Sequence, residues 1–348
     1  MTVPAIYALA TGVPQRRYSQ DEAYEQFVEL GLGRNRLARS IFGYTGVGFR
    51  HAVVDSSYYT ENHGTQARNE VYMREAVPLA EATIQKCLEE ACVTAEAIDD
   101  LIVVSCTGFN IPGLDLHLAA RLRMRRDLRR ACILGMGCYG AFPGLLRARE
   151  AVVAQPERLA LVLAVELCSL HLQFENTTEN FISSALFADG AAAVLVGNAA
   201  SGQCGPVLVD ALTHCDYSTF EHMSFTLTDH GFRMYLSSYV PDLLAAHIEG
   251  FVDALLERNG LRRDTVRFWG IHPGSQKILD HAQERLALSD EQMESSRAIL
   301  YEYGNMSSPT ILFVLDRIQR CANPTRGDYG VLLAFGPGLT MESVLVRW

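Results

Sequence analysis

The sequence predicts an α/β protein made of two similar halves, in which strands and helices alternate. Apolar runs of strand length alternate along the chain with segments whose apolar residues recur at helical spacing. The same order of features also occurs twice, at a nearly constant separation. With 348 residues, the chain is too long for one small core and suits two packed halves. We place these halves at residues 1–200 and 201–348.

The first half contains an alternating series of predicted elements. Short apolar runs indicate the strands, and apolar residues three and four positions apart indicate the helices. Residues 52–70 are polar and aperiodic, which is typical of a surface loop. Strands are expected at 3–10, 101–106, 131–134, 158–166 and 189–197, and helices within 20–43 and at 71–92, 113–123, 145–153 and 181–187.

The second half repeats this order of strands and helices. A polar turn, Gly304 to Thr310, leads into its last helix. Strands are expected at 206–213, 231–237, 266–271, 329–335 and 342–347, and helices at 241–259, up to about 287, at 289–299 and up to 320.

Three pairs of features in the two halves share almost one offset. Cys138 and Asn305, which each open a helix, are 167 residues apart. The strands ending at 105 and 271 are separated by 166 residues, and those ending near 165 and 335 by 170. Any α/β chain alternates strands and helices without duplication, but near-constant offsets favour an internal repeat.

The composition argues against several classes of partner. Hydrophobic residues make up 49% and charged residues 20% of the chain, and the formal net charge is −10. A negative chain has no general attraction to nucleic acid or to an anionic membrane, so we expect neither as a partner. No apolar run reaches membrane-spanning length, and the amino terminus lacks the pattern of a signal peptide. A cytoplasmic location is therefore expected.

The nine cysteines indicate reduced thiols. Their number is odd and no two form a Cys-x-x-Cys pair, which argues against a zinc site and against a disulfide framework. We therefore expect a reducing compartment, no metal and no redox cofactor.

One of these cysteines, Cys138, has surroundings that favour nucleophilic chemistry. It lies between Gly135 and Gly144, after an apolar run at 131–134 that is expected to form a buried strand and before a predicted helix. The amide groups at a helix amino terminus favour negative charge, so a lowered thiol pKa is expected there. The glycines permit a tight turn and the close approach of a substrate. A free cysteine is also common as a small buried side chain, and this alternative stays open.

Two further residues follow predicted strand ends or open helices, as Cys138 does. His272 follows the strand at 266–271, and Asn305 precedes the helix that ends at 320. Ligands of α/β folds bind outside such strand ends. The imidazole can pair with the thiol, and the imidazole N–H and the amide NH2 can donate to one oxygen atom, as in an oxyanion hole. Singly, His272 could be a surface residue and Asn305 a helix cap; together they predict a site.

The sequence resembles the type III polyketide synthases, which are relatives of chalcone synthase within the thiolase fold. The resemblance covers about Val103 to the carboxyl terminus and implies a duplicated five-layer αβαβα architecture with mixed sheets. It rests on the segments Val104-Ser-Cys-Thr-Gly-Phe109, Gly135-Met-Gly-Cys138, Glu166-Leu-Cys-Ser-Leu170, Ala185-Leu-Phe-Ala-Asp-Gly-Ala-Ala192, Ile271-His-Pro-Gly-Ser-Gln-Lys-Ile-Leu-Asp280, Gly304-Asn-Met-Ser-Ser308 and Ala334-Phe-Gly-Pro-Gly338.

The resemblance also implies an activity. Cys138 would take a starter acyl group from an acyl-CoA, and His272 and Asn305 would decarboxylate malonyl-CoA and stabilise the enolate. Condensation on Cys138 followed by cyclisation would give a pyrone or a resorcinol- or phloroglucinol-type ring. The family implies a homodimer and no cofactor besides the coenzyme A thioesters that serve as substrates.

The resemblance further implies two sets of contact residues. Phe187 would be a gate between the CoA tunnel and the cavity, and several positions differ from the plant enzymes: Met234 stands for a phenylalanine, Phe225 for a glycine-like position and His171 for a threonine. These departures argue against chalcone as the product. The implied pocket residues are Phe187, Met234, His171, Phe225, Ser307, Gly336 and Pro337, and the implied CoA contacts are Arg36, Arg39, Gly274 and Lys277.

Two alternatives remain open at the level of sequence. One is a ketosynthase of the same fold that condenses acyl chains carried by an acyl carrier protein. The other is a scaffold subunit that keeps the fold without turnover. The scaffold alternative predicts the loss of at least one of Cys138, His272 and Asn305, and all three are present.

Overall fold

The structure is a computed structural model, which describes residues 2–32, 36–173, 175–199, 205–219, 221, 223–237 and 239–348. Cys204 and the position of the predicted boundary between residues 200 and 201 lie outside these residues. The described part of the chain contains ten α-helices and thirteen strands.

The elements are labelled in chain order. The strands are β1 Pro4–Gly12, β2 Arg16–Ser19, β3 Phe49–Ala52, β4 Asp100–Val104, β5 Arg129–Ile133, β6 Ala160–Leu167, β7 Asp189–Asn198, β8 Val207–Cys215, β9 Met223–Thr228, β10 Gly231–Leu236, β11 Val266–Ile271, β12 Tyr329–Gly336 and β13 Thr340–Arg347. The helices are α1 Gln20–Phe27, α2 Arg36–Tyr44, α3 Thr65–Ala91, α4 Leu114–Arg121, α5 Ala141–Ala154, α6 Thr178–Leu186, α7 Val240–Arg258, α8 Gln276–Leu286, α9 Asp290–Tyr303 and α10 Thr310–Cys321.

Nine strands are connected in the order β11-β12-β13-β8-β1-β7-β6-β4-β5. The two halves of this series repeat one pairing pattern. β4 pairs with β6 in parallel, and antiparallel pairs follow from β6 to β7 and from β7 to β1. In the other half, β11 pairs with β12 in parallel, and antiparallel pairs follow to β13 and β8. Among the described residues, β1 and β8 share one bridge pair, Ala5 and Val207, next to backbone hydrogen bonds of Ile6 with Gly205 and Pro206, so the series consists of two mixed sheets joined at a short contact.

Three large apolar clusters show that the two sheets and their helices form five layers. The side chains of α5 and α10 pack together with one face of each sheet, so these two helices lie between the sheets. Helices α3 and α4 cover the outer face of the β4-containing sheet, and α7, α8 and α9 cover that of the β11-containing sheet. The predicted five-layer αβαβα architecture is thereby confirmed.

Several local predictions were wrong. The segment that contains residues 131–134 forms β5, which is an exposed edge strand instead of a buried one. Helix α3 begins at Thr65, within the predicted loop. Its start was not predicted because Gly64 at the N-cap position and the mixed polar residues that follow give no clear helical pattern. The short strands β2 and β3, and β9 of the β9–β10 hairpin, were missed because their mostly half-exposed residues give no apolar run. Among the described residues, no helix is both long and apolar enough to span a bilayer.

Candidate active site

Cys138 lies in a tight turn between β5 and α5. The segment Gly137–Tyr139 forms one 3₁₀ turn, and α5 begins at Ala141. Gly137 has a φ of 69°, and a Cβ atom at this position would lie 2.6 Å from Pro337 Cδ. Only glycine therefore permits the turn that places the buried Cys138 side chain next to the loop of residues 336–338.

The pKa of the Cys138 thiol is raised, whereas its position before a helix led us to expect a lowered pKa. Burial raises this pKa to about 11, while hydrogen bonds from the Ser307 and Asn305 side chains lower it in part and the Glu166 carboxylate raises it further. Removal of water disfavours the thiolate by more than the nearby amide dipoles favour it. In the ligand-free chain the thiol is therefore neutral at pH 7.

His272 follows β11 directly and is almost fully buried. Its backbone N–H donates to the Leu333 carbonyl at 2.8 Å, which holds the residue at the end of the sheet. Neither ring nitrogen has a hydrogen-bond partner among the described residues, and burial lowers the imidazole pKa to about 3. Buried polar atoms in native proteins are normally paired, so two unpaired nitrogens in one ring point to a ligand that binds there.

The backbone and side chain of Asn305 are both held in place. Its backbone N–H donates to the Leu186 carbonyl at 2.9 Å, and its carbonyl accepts from Ala188 at 3.0 Å. Its Oδ1 accepts from the backbone N–H of Ser307 at 2.9 Å, and its Nδ2 donates to the Gly274 carbonyl at 3.4 Å. The amide oxygen is thus occupied, and the NH2 group is the end that faces Cys138.

These three residues are all buried and have complementary chemistry. Asn305 adjoins Cys138, and its Nδ2 donates to the carbonyl of Gly274, two residues after His272. A thiol supplies the nucleophile, a neutral imidazole can accept its proton, and an imidazole N–H together with an amide NH2 can hold a developing oxyanion. The arrangement can therefore support acyl transfer to sulfur and stabilise an enolate.

Glu166 is a site-adjacent residue whose role the sequence did not reveal. The carboxylate is fully buried at the end of β6, and burial raises its pKa. Five hydrogen bonds reach it, from Ser308 Oγ at 2.6 Å, Thr107 Oγ1 at 2.7 Å, the Cys106 backbone at 2.9 Å, and Ser105 Oγ and Cys106 Sγ at 3.3 Å each. Glu166 thereby ties the loop after β4 to the loop that carries Asn305. A glutamate inside an otherwise apolar strand was the available signal.

Two cavities adjoin the reaction centre. The main cavity, lined by Gly137 and Tyr139 on either side of Cys138 in the sequence, has a volume of about 680 Å³. The small cavity, lined by Phe187 and Ser307, has one of about 30 Å³. Cys106 and Phe225 line both, and Tyr139, next to the nucleophile, lines the main cavity. Neither Cys106 nor Tyr139 was singled out from the sequence as a cavity residue.

The predicted pocket residues divide between these cavities. Phe187, Met234, His171, Phe225 and Ser307 line the small cavity, and Phe225 and Pro337 line the main one. Gly336 lines neither of them. A Cβ atom on Gly336 would lie 2.5 Å from the Tyr139 ring, so this glycine makes room for that ring.

The side chain of His171 is held rigidly at the wall of the small cavity. Its Nε2 lies 2.6 Å from the Thr107 carbonyl, so Nε2 carries the proton, and its Nδ1 accepts from the Phe232 backbone at 3.2 Å. Burial lowers the imidazole pKa to about 4, which keeps the ring neutral at pH 7.

The predicted CoA contacts lie on different surface elements. Arg36 and Arg39 are exposed on α2, where Arg39 pairs with Asp21 at 3.1 Å. Lys277, on α8, pairs with Asp242 at 3.3 Å. Of this group, only Gly274 contacts the buried site, through Asn305.

Two family models match most of the chain. The family models described as "Chalcone and stilbene synthases, N-terminal domain" and "C-terminal domain" match residues 57–200 and 212–348. The chain belongs to this family. It is therefore a type III polyketide synthase, a decarboxylating condensing enzyme of the acyltransferase class, as the sequence motifs predicted.

Individual family members match over nearly the whole chain. The 1,3,6,8-tetrahydroxynaphthalene synthase of Streptomyces peucetius subsp. caesius is 34% identical over 99% of this chain and 93% of its own length. The alpha-pyrone synthesis polyketide synthase-like Pks18 of Mycobacterium tuberculosis is 30% identical over 99% and 91%. The crystal structure of PKS-I from the brown alga Ectocarpus siliculosus is 32% identical, with a TM-score of 0.93 over 100% of this chain and 98% of that one.

Proposed function

We propose that this polyketide synthase loads a starter acyl-CoA on Cys138 and extends it with malonyl-CoA at His272 and Asn305. The single observation that carries the proposal is the state of His272, whose two buried ring nitrogens have no partner among the described residues. The geometry leaves donors and an acceptor ready for a substrate.

In the loading step, the Cys138 sulfur attacks the thioester carbonyl carbon of the acyl-CoA. The thiol proton passes to the neutral His272 imidazole, and the bond between the carbonyl carbon and the CoA sulfur breaks. Coenzyme A leaves with the proton that His272 returns. The imidazole can act in this way because its low pKa leaves a nitrogen lone pair free at pH 7.

In the extension step, the malonyl carboxylate leaves as CO2 and its bonding electron pair forms an enolate. The His272 N–H and the Asn305 NH2 donate to the enolate oxygen, which lowers the barrier because these donors are fixed before the reaction. The enolate carbon then attacks the Cys138 thioester. The carbon–sulfur bond breaks, and the released thiolate takes a proton from solvent.

The cavities favour a product built from several extensions. A volume of about 680 Å³ is large enough for a drug-sized molecule. Repeated rounds and cyclisation would give a pyrone or a resorcinol- or phloroglucinol-type ring. Relatives of this chain include the tetrahydroxynaphthalene synthase and Pks18, an alpha-pyrone synthesis polyketide synthase-like protein. Coenzyme A thioesters are the only cofactor-like molecules that this scheme requires.

CoA recognition and dimer formation are assigned to two exposed surfaces. Arg36, Arg39 and Lys277 are exposed cations that can meet phosphates, once Asp21 and Asp242 release their partners. The exposed edge of β5, followed directly by the exposed side chain of Leu134, is suited to pairing with a second copy of the chain. The division into halves at residues 200 and 201 likewise remains a prediction.

A product assay with CoA substrates alone tests this function. The protein is incubated with radiolabelled malonyl-CoA and a panel of acyl-CoAs, and the products are separated by chromatography. We expect labelled pyrone or resorcinol-type products with at least one starter. No labelled product and no CO2 release with any CoA ester would favour the alternative, in which an acyl carrier protein delivers the chains.

A further inference from the structure

Arg50 is a buried arginine that contacts none of the reacting groups. It lies on β3 with 5% of its surface exposed. Among the described residues, no carboxylate forms an ion pair with it. Burial lowers its pKa to about 10, so the guanidinium stays charged at pH 7. A buried charge is costly unless hydrogen bonds compensate for it.

The compensation for this charge comes from the carboxyl terminus of α6. Arg50 Nη1 donates to the carbonyls of Ser184 at 2.6 Å and Phe187 at 3.1 Å, and Nη2 donates to that of Ala185 at 2.6 Å. The last carbonyls of a helix lack partners within the helix and carry partial negative charge. The guanidinium satisfies three of them at once.

The remaining carbonyl at the end of α6 accepts a hydrogen bond from the loop that carries Asn305. The Leu186 carbonyl, between those that bind Arg50, accepts the Asn305 backbone N–H at 2.9 Å. Phe187 and Asn305 also form a parallel β-bridge. The end of α6 is therefore held on one side by Arg50 and holds Asn305 on the other.

Gln20 extends this arrangement to the surface helix α2. Its Oε1 accepts from Arg50, and its Nε2 donates to the Ala185 carbonyl at 3.0 Å, to the Phe42 carbonyl in α2 at 3.0 Å and to Thr45 Oγ1 at 2.9 Å. α2 also carries the exposed arginines proposed to meet CoA. A continuous set of hydrogen bonds thus runs from α2 to the Asn305 loop.

We propose that Arg50 is a positioning residue, which fixes the end of α6 and thereby aims the Asn305 amide at the malonyl thioester oxygen. This inference rests on the proposed function, because it assumes that Asn305 acts on malonyl-CoA. Cys138 belongs to the β5–α5 turn, and Arg50 makes no contact with that turn. Loss of the hydrogen bonds from Arg50 to the end of α6 should therefore slow malonyl-CoA decarboxylation far more than acyl transfer to Cys138.

The test compares Arg50→Lys with a matched control, Arg149→Lys. Lysine keeps the charge but places its donors at one point, so it cannot reach three carbonyls in the same geometry. Arg149 also binds two backbone carbonyls, those of Leu208 at 3.1 Å and Val209 at 3.2 Å, but it lies on α5 away from the site. Both substitutions remove backbone-capping bonds of the same kind.

Three quantities are measured for wild type and both variants: CO2 release from malonyl-CoA, the rate of Cys138 acylation by a starter acyl-CoA, and the melting temperature. For Arg50→Lys we expect CO2 release to fall at least about tenfold, because a displaced oxyanion donor costs about 10² to 10³ in rate, while acylation changes by less than about twofold. For Arg149→Lys we expect both rates to stay within about twofold of wild type.

Equal losses of the two rates in Arg50→Lys, or the same loss of CO2 release in Arg149→Lys, would overturn the positioning role. If Arg50→Lys does not fold, Gln20→Met is measured in the same way, and an unchanged ratio of the two rates counts equally against the proposal. A wild-type protein that releases no CO2 from malonyl-CoA would instead refute the proposed function on which the inference rests.

Discussion

Phe187 and Asn305 are joined by a parallel β-bridge, although they are far apart in the sequence. Phe187 directly follows helix α6 of the first half, and Asn305 lies two residues after helix α9 of the second. The bridge therefore fixes the proposed gate and the proposed oxyanion donor relative to each other through the backbone. The site depends on both halves for its geometry, and changes to either half should alter the chemistry.

Replacing Asn305 by alanine should slow malonyl-CoA decarboxylation by about 10² to 10³, because one of two fixed donors to the enolate oxygen is lost. The rate is measured as CO2 release. Asn259→Ala is the control, because Asn259 makes its hydrogen bonds to Asp210 and Leu255 outside the site. Equal rates for wild type and Asn305→Ala would contradict the assigned role.

Replacing Cys138 by alanine should separate decarboxylation from condensation. The enolate donors remain in this variant, so CO2 release should persist, but no acyl group can attach and no extended product should form. Cys321→Ala, at an exposed cysteine on α10, should behave as wild type. Extended products from the Cys138→Ala protein would show that another group carries the chain.

Gly137→Ala should reduce both stability and turnover. The added Cβ atom would lie 2.6 Å from Pro337 and would require a φ near 69°, which alanine adopts only at a cost of about 1–2 kcal/mol. We expect a lower melting temperature and a clear loss of product formation. Gly250→Ala on α7, where no atom lies within 4 Å of the new methyl group, should be neutral or stabilising. A Gly137→Ala enzyme with wild-type activity would disprove the packing argument.

Phe225→Ala should change the size of the products or starters. Phe225 lines both cavities, and its ring centroid is 6.5 Å from that of Phe187, so its removal should join and enlarge the two spaces. Mass spectrometry of products from a series of acyl-CoAs should show a shift to longer chains. Val153→Ala, at an exposed position on α5, is the control. An unchanged product profile would mean that other residues limit the chain.

A lysine on the exposed edge of β5 should prevent association of two chains. Edge strands avoid pairing when they carry lysine, so Ala131→Lys should shift a dimer towards the monomer in sedimentation experiments. Val153→Lys, at an exposed site elsewhere, should leave the association unchanged. A dimer that persists in Ala131→Lys would place the interface at another surface.

Parts of the fold could be predicted from the sequence for identifiable physical reasons, and the five layers followed from the family resemblance; the roles of Cys138, His272 and Asn305 stay predictions. Buried strands such as β6 and β7 are continuous apolar runs, and the turn at Cys138 carries the glycines that its backbone requires. β5 was misjudged because an apolar run does not reveal whether a strand lies at the sheet edge. The pKa of Cys138 was misjudged because the burial of a side chain depends on residues distant in sequence.

The roles of Glu166 and Arg50 show where reasoning from sequence ends. Each acts through hydrogen bonds to residues more than 50 positions away, from Glu166 to the loop of Cys106 and from Arg50 to the end of α6. Such pairings follow from the packing of whole elements; an isolated glutamate in an apolar strand marks Glu166 as unusual, but local composition does not reveal its partners.

The most direct test of the central claim is the intact mass of the protein after incubation with a panel of short, long and aromatic acyl-CoAs, followed by peptide mapping. We predict an added acyl mass on Cys138 with at least one starter, and its disappearance when malonyl-CoA is added and extended products form. An acyl group on a different residue, or no adduct with any acyl-CoA, would contradict the assignment of Cys138 as the CoA-loaded nucleophile.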